Sequence, residues 1–315
     1  MNKENAPHQW EDDIQYSKQQ YNEWYIREAP ATYTEDFVLT STRVELFFRL
    51  TNNLENISVQ LLKENPDLIT VLRMCTSPAI AHDRLSGLAN VPKHVLKRMH
   101  EGFLPSSVTD NQLERIIMIT RDLLEKRLFP WVFSYMTEDD KINHVNNAIQ
   151  IVTDRLLSSI SNTRVKMAQE VRQLDILTAY LDEKGYSRFL GFNFREMPLG
   201  SYAPRLNVPG QKSDGTNINI PVDLVVKSFH QDVDEVPILI ECKSAGDSTN
   251  TNKRRKEEAS KYANLQRVYG PNIHFILFLC GYFERSYLAY NASEGIDWAW
   301  DHRVEDLEEL ITSRE

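Results

Sequence analysis

Cysteine is scarce in this chain, and the few copies it has do not pair. Cys75, Cys242 and Cys280 stand far apart, with no CxxC and no Cys/His metal spacing. That excludes a disulfide scaffold and a structural zinc site and predicts a reducing compartment. No apolar run approaches the roughly 18 residues that span a bilayer, and no charged-then-apolar start marks export, so a cytoplasmic protein without a membrane partner is expected. Neither a Walker-type nor a GxGxxG loop is present, so no nucleotide cofactor is indicated. Internal repeats are absent. Glycine is also rare, with 11 copies of which only Gly87 and Gly102 precede Gly185. The earlier part of the chain therefore has few loop signals.

What is there suffices for more than one core. With 315 residues, 41% of them hydrophobic, the chain can bury one large or two moderate cores, and two domains are the expectation. Residues 1–35 form an acidic segment containing Trp10, Tyr16, Tyr21, Trp24 and Tyr25. It is too aromatic for a tail and is expected to pack at least in part, with another subunit as one candidate surface. Residues 36–165 show repeated i, i+3, i+4 apolar spacing and read as a helical domain, and residues 166–315 read as an α/β domain. The net charge of −9 argues against a polyanionic partner until its distribution is considered. Residues 1–38 hold eight acids and three bases, and residues 294–315 hold eight acids and two bases. The stretch between them is slightly basic, with clusters at Arg84–Arg98 and Lys253–Lys256.

The spacing that carries chemistry is Pro221-Val222-Asp223 followed, after seventeen residues, by Glu241-Cys242-Lys243. From Asn217 to Val226 the pattern alternates, with Ile218, Ile220, Val222, Leu224 and Val226 on one face and Asp223 on the other. The run from Pro237 to Lys243 is apolar until Glu241 and Lys243, which share a face at period two and leave Ile240 and Cys242 opposite. Residues 227–236 suit a hairpin connection, so antiparallel neighbours would bring Asp223 alongside Glu241. Two converging carboxylates need a cation, and oxygen ligands with open positions suit Mg²⁺. A lysine beside such an ion can orient or help deprotonate a water, which is the chemistry of phosphodiester hydrolysis. A strand-end turn aspartate and a solvated Glu–Lys pair fit the same residues, and the spacing alone arises by chance in many chains. The alternation and the segment that follows favour the site.

That segment, from Ser244 to Lys256, leads into a helical pattern through Tyr269, with Ala259, Tyr262, Ala263, Gln266 and Tyr269 on one face. Thr251 or Asn252 suits the N-cap. Lys253, Arg254, Arg255 and Lys256 would then oppose the helix dipole at roughly 0.3–1 kcal/mol each. Glu257 and Glu258 offset part of this. The alternative is a phosphate or base-edge reader, with Thr249, Asn250, Asn252, Lys253, Arg254 and Arg255 as DNA contacts. A second basic element, within residues 78–99, resembles a helix-turn-helix: Leu85, Leu88 and Ala89 pack the first helix and Asn90 takes a left-handed turn. Val91, Val95 or Leu96, and Met99 would anchor the second helix, leaving Arg84, Lys93, His94, Lys97 and Arg98 for DNA. A plain helical hairpin with a solvated basic face fits this stretch equally well.

Together the motifs PVDLVV, LIECKSAGD, TNTNKRRKEEA, FLCGYF and EGIDWAWDHR, between Pro221 and Arg303, resemble the catalytic part of the XamI-type type II restriction endonucleases, in the PD-(D/E)xK nuclease superfamily. They cover about a quarter of the chain. The resemblance implies an α+β or α/β fold in which a helical N-terminal domain precedes a restriction-endonuclease-like core, its mixed central sheet flanked by helices. It also implies Mg²⁺-dependent cutting of both strands of a short duplex site, leaving 5′-phosphate ends, in a bacterial or archaeal cytoplasm. Carried over, Asp223 and Glu241 become metal ligands together with the Cys242 backbone carbonyl, and Lys243 positions the water. Glu170, on a helix before the core strands, is the candidate to complete the site, although an ordinary solvated helix face accounts for it equally well. Symmetric cutting of double-stranded DNA implies a homodimer. A structure-selective nuclease of the resolvase or repair type would use the same acids, and a non-catalytic regulator would use the helix-turn-helix alone.

Overall fold

Two helices of unusual length run through the chain in the computed structural model, which describes residues 7–249, 251–271 and 273–312, with the backbone alone for residues 7, 8 and 251–254. Helix α1 spans Pro7–Leu50 and is followed by α2 (Val59–Glu64), α3 (Ile69–Met74), α4 (His82–Ala89), α5 (Lys93–His100) and α6 (Asp110–Asp122). Helix α7 spans Glu138–Glu183. The starts follow from local chemistry. Ser58 accepts the Leu61 N–H at 3.2 Å, Thr109 and Gln112 form a reciprocal capping box, and Thr137 accepts the Asp140 N–H at 3.3 Å. Glu138, Asp139 and Asp140 add negative charge at the positive end of the α7 dipole.

The chain divides into two compact units. One is Ala29–Val165, whose core gathers Val44, Phe47 and Phe48 with the apolar faces of α3 to α6 and with Phe129 and Trp131. The other combines the described residues up to Glu28 with those from Lys166 onward. The aromatic N-terminal segment thus finds partners within its own chain. Trp10 meets Trp298 edge-on at 5.3 Å, and the Ser17 hydroxyl accepts the Gly281 N–H at 2.8 Å.

In that second unit the described strands form one mixed six-stranded sheet in sequence order. Its strands are β1 (Ser187–Arg188), β2 (Ser201–Gln211), β3 (Asn217–Lys227), β4 (Ile238–Ala245), β5 (Phe275–Gly281) and β6 (Asp297–Trp300). β2 to β4 are antiparallel, whereas β1 runs parallel to β2 and β4 to β6 are parallel. Helices α8 (Thr251–Tyr269) and α9 (Arg285–Ser293) provide the two parallel crossovers, and α10 (Asp306–Thr312) follows β6. One sheet face packs Leu239, Leu277 and Leu279 with Tyr262 and Leu265 of α8 and Tyr287 of α9. The other packs Ile240, Cys242 and Phe278 against Leu174, Leu177 and Leu181 of α7 and Leu310 of α10. Helices covering both faces of a mixed sheet, after a helical N-terminal region, are the architecture expected from the sequence.

Two local expectations change. With Pro209, Gly210 and Gly215, residues 207–218 have the composition of a turn-rich loop, yet Asn207–Gln211 extends β2 and pairs with β3 as far as Gln211↔Asn217. Leu88, expected to pack α4, is 55% exposed, while Leu85 and Ala89 are fully buried.

Candidate active site

The ladder between β3 and β4 runs from Val226↔Ile238 to Leu224↔Ile240 and stops there. One residue further, a side chain replaces the backbone acceptor: the Cys242 N–H donates to Oδ2 of Asp223 at 2.9 Å. On β2 the break falls at Arg205, left-handed at φ +54 and skipped between Pro204↔Leu224 and Leu206↔Val222. Alternation slips at this step. Ile220 and Val222 pack on the α8 side of the sheet, whereas Leu224 and Val226 pack on the α7 side. The single apolar face expected for Ile218 to Val226 is therefore two faces, which change over where Asp223 and the left-handed Arg205 opposite it drop out of the ladder.

Glu241 is 2% exposed and meets an ammonium at each oxygen. Oε2 lies 3.2 Å from Lys243 Nζ, and Oε1 is contacted by Lys261 Nζ from α8, which also donates to the Pro221 carbonyl at 2.5 Å. The α7 residue Gln173 donates to the carbonyls of Phe278 and Lys243, at 2.9 and 3.3 Å, and fixes the strands from which these groups project. Asp223, Glu241, Lys243, Glu170, Lys166, Glu258 and Lys261 line one cleft of about 450 Å³. Burial first, and the Glu241 carboxylate second, push Asp223 up to about 6. Burial pulls the Lys243 ammonium down, but Glu241, Glu258 and Asp223 outweigh it and hold Lys243 above its ordinary value. Lys243 is a cation here. The Cys242 thiol, raised well above its usual range by burial and then by Asp223, Glu241 and Glu170, is not a nucleophile.

Among the described residues no group of three or more His, Cys, Asp and Glu side chains is disposed to hold a metal. Glu170 lines the cleft but pairs with Arg205 at 2.9 Å. Two carboxylates and a main-chain carbonyl nevertheless fit a hard divalent ion, because Mg²⁺ is commonly held by one or two carboxylates and takes water and phosphate oxygens for the rest. A divalent ion there would offset both causes that raise the Asp223 carboxyl, its burial first and the Glu241 carboxylate second.

The other anticipated residues are distributed as follows. Thr249 turns back on Asp247, its N–H donating to Oδ1 at 2.8 Å. Asn250 lies outside the described residues, as do the side chains of Asn252, Lys253 and Arg254 at the start of α8. Arg255 stacks on the Tyr290 ring at 4.3 Å. Asn90 adopts the left-handed turn, at φ 52, and Arg84, Lys93, His94, Lys97 and Arg98 are exposed on α4 and α5. Lys93 pairs with Asp83 at 2.8 Å and Arg98 with Glu101 at 3.1 Å. Sequence reasoning missed Lys261 and the buried Glu258, whose Oε2 accepts the Tyr287 hydroxyl. In the sequence Lys261 stands four residues after Glu257, the usual spacing of a solvated helix face, so no signal set it apart.

A mixed sheet with an acid on β3, a Glu and a Lys at alternate positions of β4 and helices on both faces defines a restriction-endonuclease-like nuclease core. The sequence profile of the XamI restriction endonuclease family matches residues 52–300. The chain is also 42% identical over 310 residues to "Type II restriction enzyme SalI" of Streptomyces albus G, an alignment covering 96% of this chain and 97% of that enzyme. The chain therefore belongs to the XamI restriction endonuclease family and is a site-specific deoxyribonuclease of the type II restriction class. No solved structure matches it. Enzymes of this class generally use divalent metal ions. No helix among the described residues is long and apolar enough to cross a membrane.

Proposed function

We propose that the chain acts as a homodimer in the cytoplasm, hydrolysing one phosphodiester in each strand of a short palindromic DNA sequence with Mg²⁺ and leaving 5′-phosphate ends. The observation that carries this reading is the convergence of Asp223, buried Glu241 and the Lys243 ammonium on one cleft. Asp223, Glu241 and the Cys242 carbonyl would hold the ion. When bound, Mg²⁺ supplies positive charge for the phosphorane and a more acidic water. Lys243 donates to the attacking water, orients it in line with the scissile bond and meets negative charge developing on the phosphoryl oxygens. Gln173 holds the β4 backbone against β5 so that Lys243 keeps this aim. Water attacks phosphorus and gives up a proton to solvent, the P–O3′ bond breaks, O3′ takes a proton from solvent and leaves as the 3′-hydroxyl, and the phosphate stays on O5′ of the following nucleotide.

Two elements supply the DNA contacts. One is the β4–α8 connection and helix start, with Thr249, Asn250, Asn252, Lys253, Arg254 and Arg255. The other is the α4–α5 pair, with Arg84, Lys93, His94, Lys97 and Arg98 on its exposed face. Glu170 is a wall of the cleft that Arg205 holds, and it joins the ligand set only by leaving that partner.

The test is digestion of a sequenced plasmid in Mg²⁺ with run-off sequencing of the ends. Wild type gives defined bands and one recurrent palindrome. Lys243→Ala cuts about 10²–10³-fold more slowly, as for loss of one group that stabilises transition-state charge, while DNA binding in Ca²⁺ is retained. Cutting confined to branched substrates would replace this reading with a structure-selective nuclease. Undiminished cutting by Asp223→Ala would remove the site.

A further inference from the structure

Lys261 occupies a place that the proposed chemistry must reuse. Its ammonium contacts Oε1 of Glu241 while Lys243 takes Oε2, so both oxygens of a carboxylate that is 2% exposed are already matched by cations. Lys261's other partner is the neutral Pro221 carbonyl, its side chain is 19% exposed, and it projects from α8 beside the buried stripe of Glu258, Tyr262 and Leu265. An ammonium and a divalent ion cannot share Oε1 without repelling each other, and a buried carboxylate without any cation is costly. One cation has to replace the other. Lysine suits such an exchange, being a compact charge on a flexible four-carbon stem with three donors.

We propose that Lys261 is a displaceable counter-ion of this site: it neutralises Glu241 in the DNA-free enzyme, yields that carboxylate to the divalent ion and moves to a phosphate oxygen of the bound DNA. The inference rests on the reading of Asp223 and Glu241 as ligands. Its consequence is that DNA and metal bind cooperatively, since the phosphate provides the partner that Lys261 loses. DNA-free enzyme then holds the ion weakly.

The experiment is calorimetric titration of Ca²⁺ into DNA-free wild type, Lys261→Met, Lys261→Arg and the double variant Lys261→Met/Asp223→Asn, with thermal melts to confirm folding. It is paired with titration of the duplex identified by run-off sequencing, in Ca²⁺ across a salt series. Lys261→Met is expected to bind Ca²⁺ about fivefold or more tightly than wild type, the lower end of ordinary coupling between sites. Lys261→Arg, which keeps the charge, stays at the wild-type level, and adding Asp223→Asn abolishes the gain. Lys261→Met also binds the duplex more weakly, and its dependence of log affinity on log salt is shallower by about one. Equal, weaker or absent Ca²⁺ binding by folded Lys261→Met overturns the inference and leaves the ligand reading intact. A gain indifferent to Asp223→Asn overturns the ligand reading as well, and an unchanged salt slope overturns the transfer to phosphate.

Discussion

Arg205 stands opposite Asp223 with a positive φ, and between them β2 and β3 exchange faces. The exchange frees Asp223 from the regular ladder so that its carboxylate, rather than its main chain, reaches Cys242. A non-glycine residue in this conformation costs about 1–2 kcal/mol, and the Glu170 pair at 2.9 Å offsets little because the two side chains are 57% and 42% exposed. Arg205→Gly is therefore expected to hold or raise stability. Arg205→Val, branched at Cβ, should lower it by a further 1 kcal/mol or so in urea denaturation and slow cutting as Asp223 loses its aim. A stabilised Val variant would disprove the account. At this scale the sequence revealed Glu241 and Lys243 through their two-residue period on β4. It hid the face switch, because alternation of apolar residues in β3 continues unbroken through Asp223 while the interruption lies on a different strand. Lys261 was hidden for another reason: its partner Glu241 is twenty positions away and only tertiary packing unites them.

Elements were legible where one periodicity dominated. α4 and α5 follow from buried Leu85, Ala89, Val95, Leu96 and Met99, and the turn between them follows from Asn90. The terminal half of β2 was not legible, since Pro209 and Gly210 signal a loop. Among the described residues no strand pairs with the outer edge of β2 past Arg188, and an edge is where a strand tolerates residues that cannot donate. Asn90 permits a quantitative check. At φ 52 it lets the Val91 N–H reach the Ser86 carbonyl at 3.0 Å, and the Ser86 hydroxyl donates to the Val91 carbonyl at 2.6 Å. Asn90→Gly should change local stability by only a few tenths of a kcal/mol, whereas Asn90→Val should cost about 1–2 kcal/mol. Amide exchange across α4 and α5 reads this locally. Equal protection in both variants would show that the turn does not hold the pair together.

Across the molecule, aromatic content indicated that the N-terminal segment is not a tail, but its partners became visible only with the fold. Asp13 of α1 meets Arg303 at 2.7 Å and His302 at 3.4 Å, while His302 lies 3.8 Å from Asp301, which Arg172 holds at 2.9 Å. Burial pulls the His302 imidazolium down, but Asp13 and Asp301 outweigh it and raise it above its ordinary 6.5, with Arg303, Arg172 and the Tyr16 and Trp300 rings also nearby. Its stabilisation is complete below the unfolded value of about 6.5 and is lost as pH rises through the higher folded value. The Ala29–Val165 unit has the opposite sign. Burial first, then Arg73 and His100 against the opposing Asp83, pull His82 down to about 4. His100 falls through burial, Arg43 and Arg73 against Glu101 and Asp67, and Lys93, His94 and Lys97 line the same pocket. Both rings fold neutral, so this unit loses stability as pH drops from about 6.5 toward about 4. Asp13 and Asp301, held below their usual 3.8, contribute pH dependence only further into acid. Lowering the pH from about 8 to about 5.5 should therefore increase exchange protection, corrected for intrinsic rates, at the start of α1 and in β6 while decreasing it in α4 and α5. His82→Phe should flatten the second response and leave the first, and a response of the same sign in both regions would show that these histidines do not govern it.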